Sequence, residues 1–149
     1  MGAETGANLQ LEPRGVSGET HTGRCLCRNV TYAFETPINW CLHCHCESCR
    51  RNCAAPFTTF VGVPDGQWRW TGAEPSVYHS SKGVERLFCA NCGSPVAYRS
   101  EDEPGEIHFY AAALDDPEAF QPDRHVFHAE RLSWLHLADD LPKHEGGSA

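Results

Sequence analysis

Residues 57–88 read FTTFVGVPDGQWRWTGAEPSVYHSSKGVERLF. The first seven, FTTFVGV, are β-branched and aromatic and stop at Pro64-Asp65-Gly66, a strong turn signal. QWRWT (67–71), SVYHS (76–80) and VERLF (84–88) follow at short spacing, separated by Gly and Pro. Upstream, Val30, Tyr32 and Phe34 alternate with Thr31, Ala33 and Glu35, the period of a half-buried strand that ends at Thr36-Pro37. Downstream, Pro95–Arg99, Glu106–Ala111 and His125–His128 complete the expected strands, and the acidic run Glu101–Gly105 forms a solvated loop. Helix signals are confined to a turn or two after Cys49 and a short piece near Asp116 to Phe120. Short strands punctuated this closely predict a small, mainly β fold.

With 149 residues, 40% hydrophobic and 21% charged, the chain suits one domain with a packed core. Residues 1–20 hold few large apolar side chains and are expected as a flexible tail. Residues 21–145 then form the domain, and 146–149 a loose end. No apolar run approaches a membrane span and no signal peptide is visible, so no membrane partner is expected and the cytoplasm is the default compartment. Lys plus Arg total 12 against 20 Asp plus Glu, a formal charge of -8, which argues against a nucleic-acid partner.

Nine cysteines are the outlier. Their number is odd and their spacing too tight for ordinary bridging, so metal is the first expectation. In an extended segment Cys25 and Cys27 face the same side. Cys89-Ala90-Asn91-Cys92-Gly93 is a knuckle of two thiols three apart, with Gly93 free to take a positive φ. Together the four make a closed, structural zinc site stapling distant strands. Such sites contribute about 10–16 kcal/mol to folding. Cys44, Cys46 and Cys49 form a second constellation: three ligands with an open fourth position, the arrangement of a reactive zinc site. Cys41, His43 or Cys53 are the alternatives for closing that position, and Cys41 with Cys44 also permits a redox reading. Arg50 and Arg51, next to the cluster, are the candidates for binding substrate carboxylates.

Three thiolates make zinc a weaker Lewis acid than three neutral histidines would. The site then suits a small thiol better than hydroxide, with an aldehyde as the electrophile.

His21-Thr22-Gly23-Arg24-Cys25-Leu26-Cys27, Cys44-His45-Cys46-Glu47-Ser48-Cys49-Arg50-Arg51 and Phe88-Cys89-Ala90-Asn91-Cys92-Gly93-Ser94-Pro95 resemble, in this order, the glutathione-dependent formaldehyde-activating enzyme family, whose domain centromere protein V shares. His125 and the run Trp134 to Pro142 resemble the family's ending. The resemblance implies a single-domain β-tent of small antiparallel sheets stapled by zinc. It implies one zinc at Cys25, Cys27, Cys89 and Cys92 and a second at Cys44, Cys46 and Cys49. It also implies a carbon–sulfur lyase joining glutathione and formaldehyde as S-hydroxymethylglutathione. Arg28 stands where the family usually has Gly, and Cys53-Ala54 replaces its usual Ser/Thr-Gly. A non-catalytic zinc-stabilised binding or glutathione-carrier module is the alternative expectation. Of the remaining residues, Trp68, Trp70 and Trp134 are expected in the core. The nine histidines are mostly expected to be exposed or hydrogen-bonded.

Overall fold

The computed structural model describes residues 18–147, so most of the expected tail lies outside the described residues. Ten strands form among the described residues: β1 Thr20–Arg24, β2 Thr31–Glu35, β3 Trp40–Cys44, β4 Thr58–Pro64, β5 Trp68–Trp70, β6 Ser76–Ser81, β7 Val84–Phe88, β8 Pro95–Ser100, β9 Glu106–Tyr110 and β10 His125–Val126. A three-stranded sheet runs β1-β2-β5 and a seven-stranded sheet runs β10-β3-β4-β9-β8-β7-β6. Among the described residues every strand-to-strand pairing is antiparallel except β10 with β3, which is parallel. The fold is mainly β, as the strand signals require, with small sheets and no closed barrel. No helix among the described residues is long and apolar enough to cross a membrane.

The two sheets enclose the main core. Tyr32 and Phe34 from the small sheet stack on Phe109 of the large one, Tyr32 at 4.1 Å between ring centroids and almost parallel. Offset stacking of this kind adds about 0.5–1.5 kcal/mol per pair beyond area burial. Gly23, opposite Tyr32 in register, must be glycine because any Cβ there would enter the Tyr32 ring. Trp68 and Trp70 pack half-buried against this core, as expected. Trp134 does not: it is 65% exposed and lies outside every strand, in a C-terminal segment that crosses the surface.

A second, smaller core lies on the other face of the large sheet and contains Leu42, Cys44, Cys49, Phe60, Tyr110 and Val126. Alternation along β4 explains both: Val61 and Val63 point into the main core and Phe60 into the smaller one. The same alternation along β3 sends Cys41 to the main core and Leu42 and Cys44 to the smaller one. Sequence reading overlooked β3, whose two cysteines and one histidine carry no β-branched signal; pairing with β4 on one side and β10 on the other makes it a strand.

The helix expected after Cys49 is α1, Glu47–Cys53, and starts earlier because the Cys46 sulfur accepts the Cys49 N–H at 3.3 Å as its N-cap. It ends at Ala54 in the left-handed conformation, φ 50, with its N–H donating to the Arg50 carbonyl. Asp116 to Phe120 forms turns rather than the expected helical piece; Pro117 and the Asp116 carboxylate, which accepts the Glu118 N–H, shape them. The strand expected over His125–His128 is only His125–Val126, since Phe127 takes φ 52 and a 3-10 turn follows at His128–Glu130. At the C-terminus the Gly146 carbonyl accepts the Phe127 N–H, so pairing continues into the segment expected to be loose.

Candidate functional site

Cys25 and Cys27 sit just after β1, in a turn that folds back to β2 through Cys25 N–H to the Val30 carbonyl. Arg28 holds this turn at φ 71, so the left-handed conformation is kept without glycine. The knuckle after β7 brings Cys89 and Cys92 to the same point. Gly93 at φ 78 sends its N–H to the Cys89 carbonyl. The four sulfurs lie within 4.8 Å of one another, with Cys25–Cys27 at 3.6 Å and Cys27–Cys89 at 3.7 Å. Ser94 joins the two halves: its Oγ accepts the Leu26 N–H at 3.0 Å and lies 3.2 Å from the Cys92 sulfur. That contact, with backbone hydrogen bonds at Ser94 and Cys27, lowers the pKa of the Cys92 thiol to about 5. Asn91 donates to Cys27 at 3.3 Å and holds its thiol below the ordinary value. Sequence reading gave no role to Ser94 or Asn91.

The second cluster crosses from strand to helix. Cys44 ends β3, Cys46 caps α1 and Cys49 is the third residue of α1. Their sulfurs lie within 4.8 Å of one another, Cys44 to Cys49 at 3.8 Å. A tetrahedral ion with Zn–S bonds near 2.3 Å needs sulfurs roughly 3.8 Å apart, so both cysteine clusters have the spacing and donor chemistry of zinc sites. Without an ion the three thiols share charge unequally. Hydrogen bonds from the Cys44 and Cys49 thiols hold Cys46 far below the usual thiol range. The Cys44 thiol is pushed up by its bonds to Cys46 and Cys49 and by burial. Cys49 is lowered by Cys44 but raised more by Cys46 and burial together.

A pocket of about 270 Å³ opens over this cluster, walled by Trp40, Phe60, Tyr98, His108 and Phe127, with Glu103 and Glu130 on its lining. Its cation is Arg86 of β7, which sequence reading missed. Arg86 is buried, donates to Ser80 Oγ at 3.1 Å and Ser48 Oγ at 3.0 Å, and stacks 5.0 Å from the Tyr98 ring centroid. Its Nη1 lies 3.9 Å from the Cys49 sulfur. Burial works against the charged guanidinium, but Cys49 more than compensates and holds it charged. An Arg inside a strand pattern looks like a solvent-facing residue; only the three-dimensional position of β7 turns it onto the thiols.

Arg50 and Arg51 do not join this pocket. They line a separate hollow with Ala54, Pro56, Leu132 and Trp134. Helical rotation is the reason: Cys49 is the buried residue of α1, so the next two turn away from it. Arg51 is largely exposed and pairs with Glu47 at 2.9 Å. None of the three alternatives for a fourth ligand belongs to the cluster. Cys41 is in the main core and His43 is on the opposite face of β3. Cys53 lines a hollow beside Cys25 and Tyr110, where burial raises its thiol.

β10 gives that opposite face a purpose. His125 stands beside His43 in register, fully buried. Its Nδ1 is 2.8 Å from His45 Nε2 and its Nε2 is 2.9 Å from the Asp139 carboxylate. Burial and neighbouring His125 lower both His43 and His45 below the usual histidine range, His45 to about 4. The run His43-Cys44-His45-Cys46 is thus two-faced: thiols toward the pocket, imidazoles toward the C-terminal segment.

A family model described as glutathione-dependent formaldehyde-activating enzyme matches residues 20–130. A Schizosaccharomyces pombe protein named as an uncharacterized lyase is 34% identical over 96 residues, covering 56% of this chain and 62% of the relative. The chain therefore spans less than two thirds of that relative's length. The crystal structure of a Rhodobacter sphaeroides protein matches with a TM-score of 0.54 and 22% identity, over 64% of this chain and 88% of that one, a likeness of fold.

Proposed function

The chain belongs to the glutathione-dependent formaldehyde-activating enzyme family, and on that premise we propose that it is a carbon–sulfur lyase acting on the adduct of a small thiol, such as glutathione, with a small aldehyde, such as formaldehyde. The observation that carries this reading is the pocket over Cys44, Cys46 and Cys49, with a buried arginine fixed beside the thiols. Zinc at this cluster would supply a soft Lewis acid for an incoming sulfur, and a second zinc at Cys25, Cys27, Cys89 and Cys92 would be structural.

The chain's own residues do the rest. Arg86, locked by Ser48 and Ser80, keeps a positive charge where an anionic sulfur or carboxylate enters. Trp40, Phe60 and Phe127 exclude water from the reacting end, and the small volume admits a one-carbon electrophile beside the sulfur. In synthesis the thiol gives its proton to water, the sulfur bonds to the aldehyde carbon, the C=O π pair moves to oxygen, and that oxygen takes a proton back from water. The lyase direction reverses each step. Nine cysteines with no disulfide among them suit a reducing compartment, and the cytoplasm is the compartment this reading assigns.

Calorimetry of glutathione against the zinc-loaded chain and Cys46→Ser tests the first step. Binding to the former and not the latter is expected; equal binding to both, or none to either at millimolar thiol, refutes the site. Exchange spectroscopy of glutathione with formaldehyde then tests catalysis. Acceleration over the uncatalysed reaction is expected, and binding without acceleration leaves a thiol carrier.

A further inference from the structure

The imidazole face of β3 makes no contribution to the proposed lyase chemistry, yet it brings half-buried His43 beside fully buried His45 and His125. We propose that His43, His125 and Asp139 form a third metal site, distinct from both cysteine clusters, for a divalent borderline ion such as zinc or cobalt(II).

One ligand atom from each of the three lies within 4.8 Å of the others. Bonds of roughly 2.0–2.2 Å to nitrogen and carboxylate oxygen bring such atoms a little over 3 Å apart. His125 Nε2 and the Asp139 carboxylate are already there, at 2.9 Å. The parallel register of β10 on β3 sets His43 beside His125. The segment carrying Asp139 is tied down through His125 N–H to the Pro142 carbonyl and His144 N–H to the His125 carbonyl.

The outer hydrogen bonds are those that orient ligating histidines. His43 Nδ1 is held by Thr59 Oγ1 at 2.8 Å and His125 Nδ1 by His45 Nε2 at 2.8 Å. Both rings therefore have Nδ1 engaged and Nε2 left for an ion, the arrangement in which a second hydrogen bond fixes tautomer and ring direction. The carboxylate can only accept, so without an ion a neutral His125 carries its proton on Nε2 and accepts from His45 Nε2–H at Nδ1. His45 Nδ1 is then a bare, buried nitrogen, and it has no partner in the structure. An ion on His125 Nε2 takes the proton's place. His125 must then donate from Nδ1 to His45 Nε2, and His45 carries its proton on Nδ1. The hydrogen bond between the two rings thus reverses direction when the ion is bound.

Lys143 Nζ, 3.6 Å from Asp139 Oδ1, is the competing cation. Its removal should strengthen the site.

The experiment is a cobalt(II) titration of the full chain with zinc saturating its cysteine clusters, read by absorption and by ¹⁵N NMR of the imidazoles. One further equivalent is expected, with d–d bands but no thiolate charge transfer, and a shift of His125 and His45 from the Nε2–H to the Nδ1–H tautomer. His43→Gln and Asp139→Asn should each lose this equivalent by tenfold or more in affinity while retaining two zincs, and Lys143→Gln should gain severalfold. No third equivalent at millimolar cobalt(II), unchanged binding in folded His43→Gln, or unchanged tautomers would overturn the proposal. None of these results depends on glutathione or on lyase activity.

Discussion

Replacing Arg86 by methionine removes the one arginine or lysine that, among the described residues, is buried against the Cys44–Cys46–Cys49 cluster, while keeping most of the side-chain volume. At 3.9 Å from the Cys49 sulfur, a unit charge in surroundings of effective dielectric near 20 is worth about 4 kcal/mol. A divalent ion shared by three thiolates leaves one negative charge spread over the cluster, further away than Cys49 itself. About half the pairwise figure, ~2 kcal/mol, then remains, or a ~30-fold weaker second metal site. The hydroxyls of Ser48 and Ser80 lose a donor each, but both can rotate to water, at about 1 kcal/mol of folding stability apiece. Chelator competition on the zinc-loaded protein measures the effect, with the four-cysteine cluster as internal reference. Arg86→Lys should recover only part of the loss, because an ammonium cannot span Ser48, Ser80 and Cys49 together. A folded Arg86→Met whose second site holds zinc as tightly as the parent, or one that weakens both sites equally, would refute the electrostatic reasoning.

Ala54→Gly and Arg28→Gly should each stabilise the fold by about 0.5–1 kcal/mol in denaturant titrations, the left-handed penalty less the entropy glycine adds to the unfolded chain; no gain in either would mean that these turns are unstrained at φ 50 and φ 71. Cys92→Ser should lose one zinc and most of the folded population, and a folded variant with two zincs would count against a structural site. Glu106 is raised by burial but lowered more by its bonds to His108, Asn39 and Trp40, and ends below the usual carboxylate range. A depressed carboxylate contributes stability that is complete above the unfolded value near 4.3 and is lost as pH falls through the folded one. Glu106→Gln should therefore cost about 1–2 kcal/mol at neutral pH, with the deficit shrinking in acid; a deficit that does not change with pH would contradict this.

Local signals made most of the molecule legible. Alternation in Thr31–Glu35 and the β-branched run before Pro64-Asp65-Gly66 depend on each residue's own preference and spacing, and they became strands β2 and β4. The cysteine clusters were legible for the same reason: ligands two or three residues apart converge through local backbone geometry, so Cys25/Cys27, Cys89/Cys92 and Cys44/Cys46/Cys49 could be grouped without knowing the fold. The tertiary structure decided what surrounds them. Arg86 reaches Cys49 only because β7 and α1 meet across the smaller core, and Arg50 and Arg51, nearer in sequence, are turned away by the helix. His125 and Asp139 meet His43 and His45 only through the parallel pairing of β10 with β3, a contact spanning some eighty residues that no local preference encodes. Sequence spacing fixes which side chains share a short segment's face, whereas neighbours brought together by sheet order are a property of the assembled chain.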